Sequence, residues 1–278
     1  MSGEVEYTFP PNTIMPPGGF LVVARVPADV QSIYGITGVR GPFENTNNLA
    51  NDSGTIQLRN RTGAVFLEAD YSSDFPYPAA ADGAGHSLVL ARPSYGERTP
   101  EAWSASDSVG GSPGRLDPVT LHPLRNVLIN EVLRHTDDPE KDYIELYNHG
   151  NDPVDISGCF LSDDRSTNKF TVPPGTSIPA RGFAVFYETN LNFALGSHGE
   201  TVYFRNAANT RVVDAVRFGA QENGVAIGRI PNGAANFYRM VVKTPDGSNS
   251  APRISDIVIN EIMYNPISGD SDDEYIEL

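Results

Sequence analysis

Short runs in which apolar and polar residues alternate, each closed by Gly, Pro, Asn or Asp, fill this chain. In Tyr143-Ile144-Glu145-Leu146-Tyr147 the apolar pair Ile144 and Leu146 points one way and Glu145 the other, the period of a half-buried strand. The pattern predicts strands over 127–133, 142–148, 154–162, 169–172, 182–187, 200–205, 211–218, 225–230 and 238–242. Earlier runs at 19–24, 54–59, 64–71 and 86–90 predict four more. Helical periodicity is confined to 27–34, one or two turns inside a loop. Many short strands separated by turn residues predict an all-β sandwich or barrel.

The runs also repeat. Val127-Leu-Ile-Asn-Glu-Val132 and Asp142-Tyr-Ile-Glu-Leu146 recur as Ile257-Val-Ile-Asn-Glu-Ile262 and Glu274-Tyr-Ile-Glu-Leu278. The proline turn Pro10–Phe20 recurs as Pro173–Phe183. The layout is the back of one repeat, one whole repeat and the opening of a third, so the chain reads as a piece of a longer one. We expect residues 1–117 to form a sandwich lacking its opening strands, 118–124 a short proline-marked linker and 125–249 a complete sandwich. Residues 254–278 would be the opening strands of a third repeat. The two defects are complementary, so 254–278 is expected to fill the open edge of the first repeat, in cis or from a neighbouring molecule, and to mediate self-association. Aligning the repeats leaves the loop around 31–48 as an insertion and a candidate recognition surface, against tolerated surface drift.

Composition narrows the function classes. Hydrophobic residues make up 39% of the chain, including 13 Phe and 12 Tyr, enough to fill real cores. The net charge of −15 repels nucleic acid phosphates and anionic membranes. No apolar run approaches the roughly 18 residues that a membrane-spanning helix needs. The single cysteine, Cys159, excludes an intrachain disulfide and leaves the redox compartment open.

Several elements combined in order resemble the lamin tail domain. They are Ile129-Asn-Glu-Val132 and its copy, Tyr143-Ile-Glu-Leu-Tyr-Asn148, Val154-Asp-Ile-Ser-Gly158 with Leu161-Ser-Asp163, the proline turn ending at Gly182-Phe183, and Ala81-Asp-Gly-Ala-Gly-His-Ser-Leu88. The resemblance implies tandem immunoglobulin-like β-sandwiches. It departs at position 159, where Cys stands and the family usually has Trp. In animals such domains sit at the tails of nuclear lamins; in bacteria similar domains look like modules of long exported or surface proteins, beside hydrolase, nuclease or spore-coat-kinase-like domains. Tandem copies without coiled-coil heptads look like the bacterial kind.

Candidate chemistry is sparse. Asn130-Glu131 recurs as Asn260-Glu261, and Glu131 shares the period-two face of Val127, Ile129 and Leu133. A carboxylate there is either an acid or metal ligand, or a strand-end acceptor of backbone N–H groups that fixes a sheet corner, and the recurrence favours the second. Asp270, Asp272, Asp273 and Glu274 are close enough in sequence to share a calcium ion, although the pattern is not the twelve-residue calcium loop; solvated hairpin charge is the plainer alternative. His86, His122, His135, His149 and His198 lack zinc-ligand spacing. Trp103 either stacks on a sugar or peptide or covers a sandwich end. No nucleophile elbow or phosphate loop is present.

The expectation is therefore a non-enzymatic binding, adhesion or spacer module of a larger extracellular or cell-surface protein, with a protein or carbohydrate ligand, no cofactor beyond calcium and no membrane insertion. The alternatives are an accessory module that targets an extracellular hydrolase or nuclease, or an intracellular scaffold for nucleic acid or chromatin. The acidic charge argues against the last.

Overall fold

A computed structural model describes residues 1–45 and 48–278. Residues 46 and 47, within the expected insertion at 31–48, lie outside the described residues.

The second unit is a β-sandwich. Its first sheet has the order β12-β7-β6-β15-β16, comprising β6 (Val127–Leu133), β7 (Tyr143–Asn148), β12 (Phe183–Tyr187), β15 (Ile227–Arg229) and β16 (Phe237–Arg239). The facing sheet runs β10-β9-β13-β14, with β9 (Phe160–Ser162), β10 (Phe170–Thr171), β13 (Gly199–Arg205) and β14 (Val212–Gly219). A short pair, β8 (Val154–Asp155) with β11 (Ser177–Ile178), and a one-turn helix α2 (Glu188–Leu191) complete it. Ile129, Ile144 and Leu146 from one sheet meet Val202, Phe204 and Val216 from the other in a continuous core. Cys159 is buried in that core, and burial pushes its thiol up to about 11, so it is an inert apolar filler.

The strand expected over 154–162 is two strands in two different sheets. Asp155 accepts a hydrogen bond from the Ser157 amide, and Gly158 takes a left-handed conformation at φ 72°, so the chain turns between them. Its amide groups are still used: Gly158 N–H donates to the Val172 carbonyl.

Residues 1–117 contain β1 (Ser2–Gly3), β2 (Ser53–Arg59), β3 (Val65–Ser72), β4 (Leu88–Leu90), β5 (Trp103–Ala105) and helix α1 (Pro27–Tyr34). They pair as β1-β2-β3 and β4-β5. The β2–β3 and β13–β14 hairpins share their detail: the register slips between Leu58 and Arg59 in one and between Phe204 and Arg205 in the other. Both proline turns also close alike. Gly19 N–H donates to the Pro16 carbonyl at 2.9 Å and Gly182 N–H to that of Pro179 at 3.0 Å. A Cβ on Gly19 would sit 2.8 Å from the Pro16 ring.

The run at 19–24 is not a strand. It makes one isolated bridge, Val23 to Arg40. Its counterpart in the second unit, β12, is a strand because it pairs with β7, and no strand occupies that place beside 19–24 among the described residues. The first unit consequently builds no buried apolar cluster of its own among the described residues. The C-terminal segment forms a hairpin, β17 (Glu261–Met263) with β18 (Tyr275–Glu277), paired only with itself. The cis filling of the first unit's open edge by 254–278 is thus not the arrangement seen. The apolar residues of the hairpin remain exposed.

Instead of a free exit, 106–117 forms a junction between the units. Ala80 and Ala84 pack on Tyr203 and Val212 of β13 and β14. His86 lies between the units: Nδ1 meets the Ser106 carbonyl at 2.8 Å, and Nε2 accepts the Val212 amide proton at 2.8 Å. These partners require the neutral ring protonated on Nδ1. Asp107, 4% exposed, pairs with Arg211 at 2.6 Å and with Arg125, and accepts the Thr120 hydroxyl at 2.9 Å. Burial alone would raise its carboxyl; the bonds from Thr120 and Arg125 and the Arg211 charge overcome this and hold it at about 2.

Asp107→Asn should leave the largely covered Arg211 without its counter-charge and lower stability by about 2 kcal/mol, read as a shift of the thermal transition. His86 behaves oppositely to a paired histidine. Burial lowers its pKa, so the unfolded chain binds the proton first, and stability is lost as pH falls through about 6.5. The protection factor of the Val212 amide should therefore fall between neutral pH and pH 5 while that of Val202 in the core does not; equal protection across that range would rule out this role.

Candidate functional site

The recurrent Asn-Glu pair is built around an irregularity in β6. Ile129 faces Leu146 and Glu131 faces Glu145, so two steps on β6 match one on β7 and Asn130 is the extra residue of a bulge. The bulge reverses the facing of the strand. Val127, Ile129 and Val132 point into the core, whereas Leu133 packs outside with Tyr143 and Ala226. Glu131 therefore does not share the face of Val127 and Ile129, as period-two alternation predicted. It stands on the outer face beside Glu145. The signal was present: apolar positions 127, 129 and 132 are spaced two and then three.

Both carboxylates are buried because a strap, residues 244–249, crosses them. Glu131 accepts the Thr244 amide at 3.0 Å and the Thr244 hydroxyl at 2.8 Å, together with the Tyr143 hydroxyl. Glu145 accepts Asn130 Nδ2 at 3.1 Å and the Asp246 amide at 2.7 Å. Asn249 donates to the carbonyls of Asn130 and Arg229 at 3.1 and 2.9 Å. The bulge also frees the Ile129 backbone. Its N–H donates to Asp214 at 2.9 Å and its carbonyl accepts Arg229 Nε at 2.8 Å, and the Arg229–Asp214 pair at 3.0 Å ties the two sheets together. Every acceptor here is occupied by the protein itself, so the chemistry of the pair is that of a sheet-to-strap fastening.

The acidic loop places its side chains differently. Asp270 accepts the Asp272 amide at 3.0 Å, capping a single turn at Ser271–Asp273, and Asp273 accepts the Ser268 hydroxyl at 2.5 Å. Among the described residues no group of three or more His, Cys, Asp or Glu side chains is placed to hold a metal ion, and Asp270, Asp272, Asp273 and Glu274 are not brought together as one. Nor are the five histidines. Trp103 lies half-buried in β5 with its indole N–H on the Glu97 carbonyl at 2.9 Å.

A cleft that no sequence motif announced lies where the units meet. It has a volume of 540 Å³ and is lined from the first unit by Phe75, Pro76 and Tyr77 and from the second by Arg217, Arg229, Phe237 and Tyr238. Within it Phe75 is 69% and Tyr238 41% exposed. Arg217 is fixed across the junction by the Ser73 carbonyl at 2.7 Å and by Asp82. The Arg229 guanidinium lies 4.6 Å over the Phe237 ring. Both guanidinium groups are committed to partners within the protein, so what the cleft offers is rigid aromatic area, which suits a sugar ring or an extended peptide. The site was hidden because its residues come from four separated segments, none with a distinctive spacing.

Residues 121–220 match the family model described as Lamin Tail Domain. The match spans β6 to β14, so the second unit is a lamin tail domain, an immunoglobulin-like sandwich, with the strap and the last two strands of its first sheet beyond the matched range. No curated protein and no solved structure matches the chain. No helix among the described residues is long and apolar enough to cross a membrane.

Burial pushes the Glu145 carboxyl up to about 8, helped by the Glu131 charge and opposed by the donors Asn130, Asp246 and Gly247. A raised carboxyl means that the folded chain keeps a proton that the unfolded chain has released above about pH 4.3. The contribution of Glu145 to stability should therefore fall as pH rises from 5 towards 8, opposite in sign to that of His86, and Glu145→Gln should remove that component of the slope. Melting temperatures of the two proteins across this range that run parallel would refute the assignment.

Proposed function

We propose that the chain is a non-enzymatic binding or adhesion module of a larger exported or surface-attached protein, and that the cleft between its units holds the ligand. The observation that carries this reading is the exposed aromatic pair Phe75 and Tyr238, presented on either side of a junction fixed by Arg217, Asp107 and His86. Binding surfaces need rigid aromatic area, because a stiff ring loses little conformational freedom on contact. The family of the second unit is immunoglobulin-like, an architecture that recognises partners through loops and edges on a fixed scaffold. A net charge of −15 weighs against nucleic acid as the partner.

The test is a screen of immobilised neutral oligosaccharides and of extended peptides against the whole chain. Phe75→Ala and Tyr238→Ala should each weaken whatever binds by about tenfold, the loss of one ring contact worth about 1.4 kcal/mol. Phe75 is largely exposed, so its substitution should leave the melting temperature unchanged, and Tyr238→Phe is the control that keeps the ring of the half-covered β16 residue. Binding that survives the double substitution would move the ligand elsewhere.

A further inference from the structure

The exposed C-terminal hairpin is a copy of the β6–β7 pair in more than sequence. Its register sets Glu261 against Glu277, Ile262 against Ile276 and Met263 against Tyr275. The β6–β7 ladder sets Glu131 against Glu145, Val132 against Ile144 and Leu133 against Tyr143. The side-chain bonds are the same as well: Tyr275 donates to Glu261 at 2.6 Å and Asn260 to Glu277, as Tyr143 does to Glu131 and Asn130 to Glu145. The hairpin thus already has the form that a sandwich incorporates. Yet Ile259, Ile276 and Leu278 are 62%, 67% and 77% exposed, whereas their counterparts Ile129, Ile144 and Leu146 are completely buried.

The first unit holds the reciprocal surface. An apolar groove of 570 Å³ is lined by Leu21, Val23, Ile56, Leu58 and Phe66. By the shared proline turn and the shared hairpin register, Leu21 and Val23 stand where Ala184 and Phe186 stand, and Ile56 and Leu58 where Val202 and Phe204 stand. In the second unit Phe186, Val202 and Phe204 close on Ile129, Ile144 and Leu146. The backbone agrees with this. In the complete sheet, β7 and β6 lie between β12 and β15. In the first unit the matching pieces are the run at 19–24, which has no strand beside it among the described residues, and β4, which among them pairs only with β5.

We propose that this groove is a docking site for the β17–β18 hairpin of a second copy of the chain. The incoming hairpin adds two strands between 19–24 and β4 and places Ile259, Ile276 and Leu278 on Ile56 and Leu58. The contact joins unlike surfaces, so it propagates head to tail into rings or linear arrays unless two copies close on each other.

Sedimentation velocity of the full chain over roughly 1–100 μM tests this. Association should grow with concentration and be lost, at least about tenfold weaker, in Ile276→Arg, whose site is exposed and carries no folding role in the isolated molecule. Leu58→Arg should block the groove. Because that change also risks misfolding the first unit, the two variants are mixed: each alone stays monomeric, and together they form one-to-one complexes through the single intact hairpin and the single intact groove. A wild-type chain that stays monomeric throughout overturns the proposal. So does association that Ile276→Arg leaves intact. A monomer in which Ile276→Arg lowers the melting temperature of the first unit assigns the groove to the chain's own hairpin, and equally overturns docking of a second copy.

Discussion

The pairing of β6 with β7 is the contact on which the rest of this molecule depends. These two strands lie at the centre of a five-stranded sheet, supply Ile129, Ile144 and Leu146 to the core, and carry the bulge that sets the outer face. Where the pair is present, strands on both of its sides find ladder partners and both sheets close. Where it is absent, as beside residues 19–24, an apolar run of the same quality stays without a ladder. β-propensity does not make a strand by itself. A strand exists when a neighbour accepts and donates its backbone hydrogen bonds and a facing layer covers its apolar side. The two units compare this on related sequence, the first without the central pair and with the added loop around 31–48.

The bulge at Asn130 has a cost that the fold absorbs locally. An extra residue leaves the Ile129 amide and carbonyl without strand partners, and unpaired backbone groups in a buried sheet each cost about 1–3 kcal/mol. Asp214 and Arg229 take both, and in doing so bind one sheet to the other. The same irregularity sets Glu131 and Glu145 side by side on a buried face, where two carboxylates repel and lack water. Burial and the neighbouring charge keep Glu145 protonated into the neutral range, and the strap from Thr244 to Asn249 supplies the donors that water would have provided. A conspicuous acidic motif is therefore accounted for by architecture. Its recurrence follows from the recurrence of the strand pair, since each copy needs the same bulge and the same acceptors. The free hairpin reproduces the Asn-Glu and Tyr-Glu bonds without any strap, which shows that the local sequence is enough to organise them.

Much of the architecture was legible in the residues, and what was missed has identifiable reasons. Strand β6 was predicted residue for residue, because its boundaries are marked by Asn126 and by the loss of alternation after Leu133. The helix at Pro27–Tyr34 was equally visible, with proline at its start and Gly35 in the left-handed region at its end. The split of 154–162 was obscured because both halves are apolar enough to read as one strand. The turn depends on one Asp-to-amide bond and a glycine at φ 72°. The side on which Glu131 lies was misread because a strict period of two cannot represent a bulge; the spacing of Ile129 and Val132 carried that information. The junction and its cleft were invisible for a different reason. His86, Asp107 and Arg217 acquire their roles through partners more than a hundred residues away, such as Val212, Arg211 and Ser73, and no local pattern encodes such a pairing.

The junction also decides what kind of object the two units make. A flexible linker would let two sandwiches tumble, and any surface shared between them would be transient. Here an uncharged imidazole donates to one unit and accepts from the other, a buried aspartate binds Arg125, just after the linker, and Arg211, just before β14, and small alanines allow close approach to Tyr203. Each of these contacts is directional, and together they set the rotation of one unit against the other. A cleft bounded by both units then has a fixed shape, and fixed shape is what the proposed recognition through Phe75 and Tyr238 requires. The same rigidity bears on the groove of the first unit. Strands can be added to a sheet edge only if that edge is already held in a twisted, extended form, and β2–β3 and β4–β5 are held so by their own ladders and by the junction that follows β5. Order at the junction is therefore the condition for both proposals, the cleft as a ligand site and the groove as a seat for a strand pair that this chain itself carries.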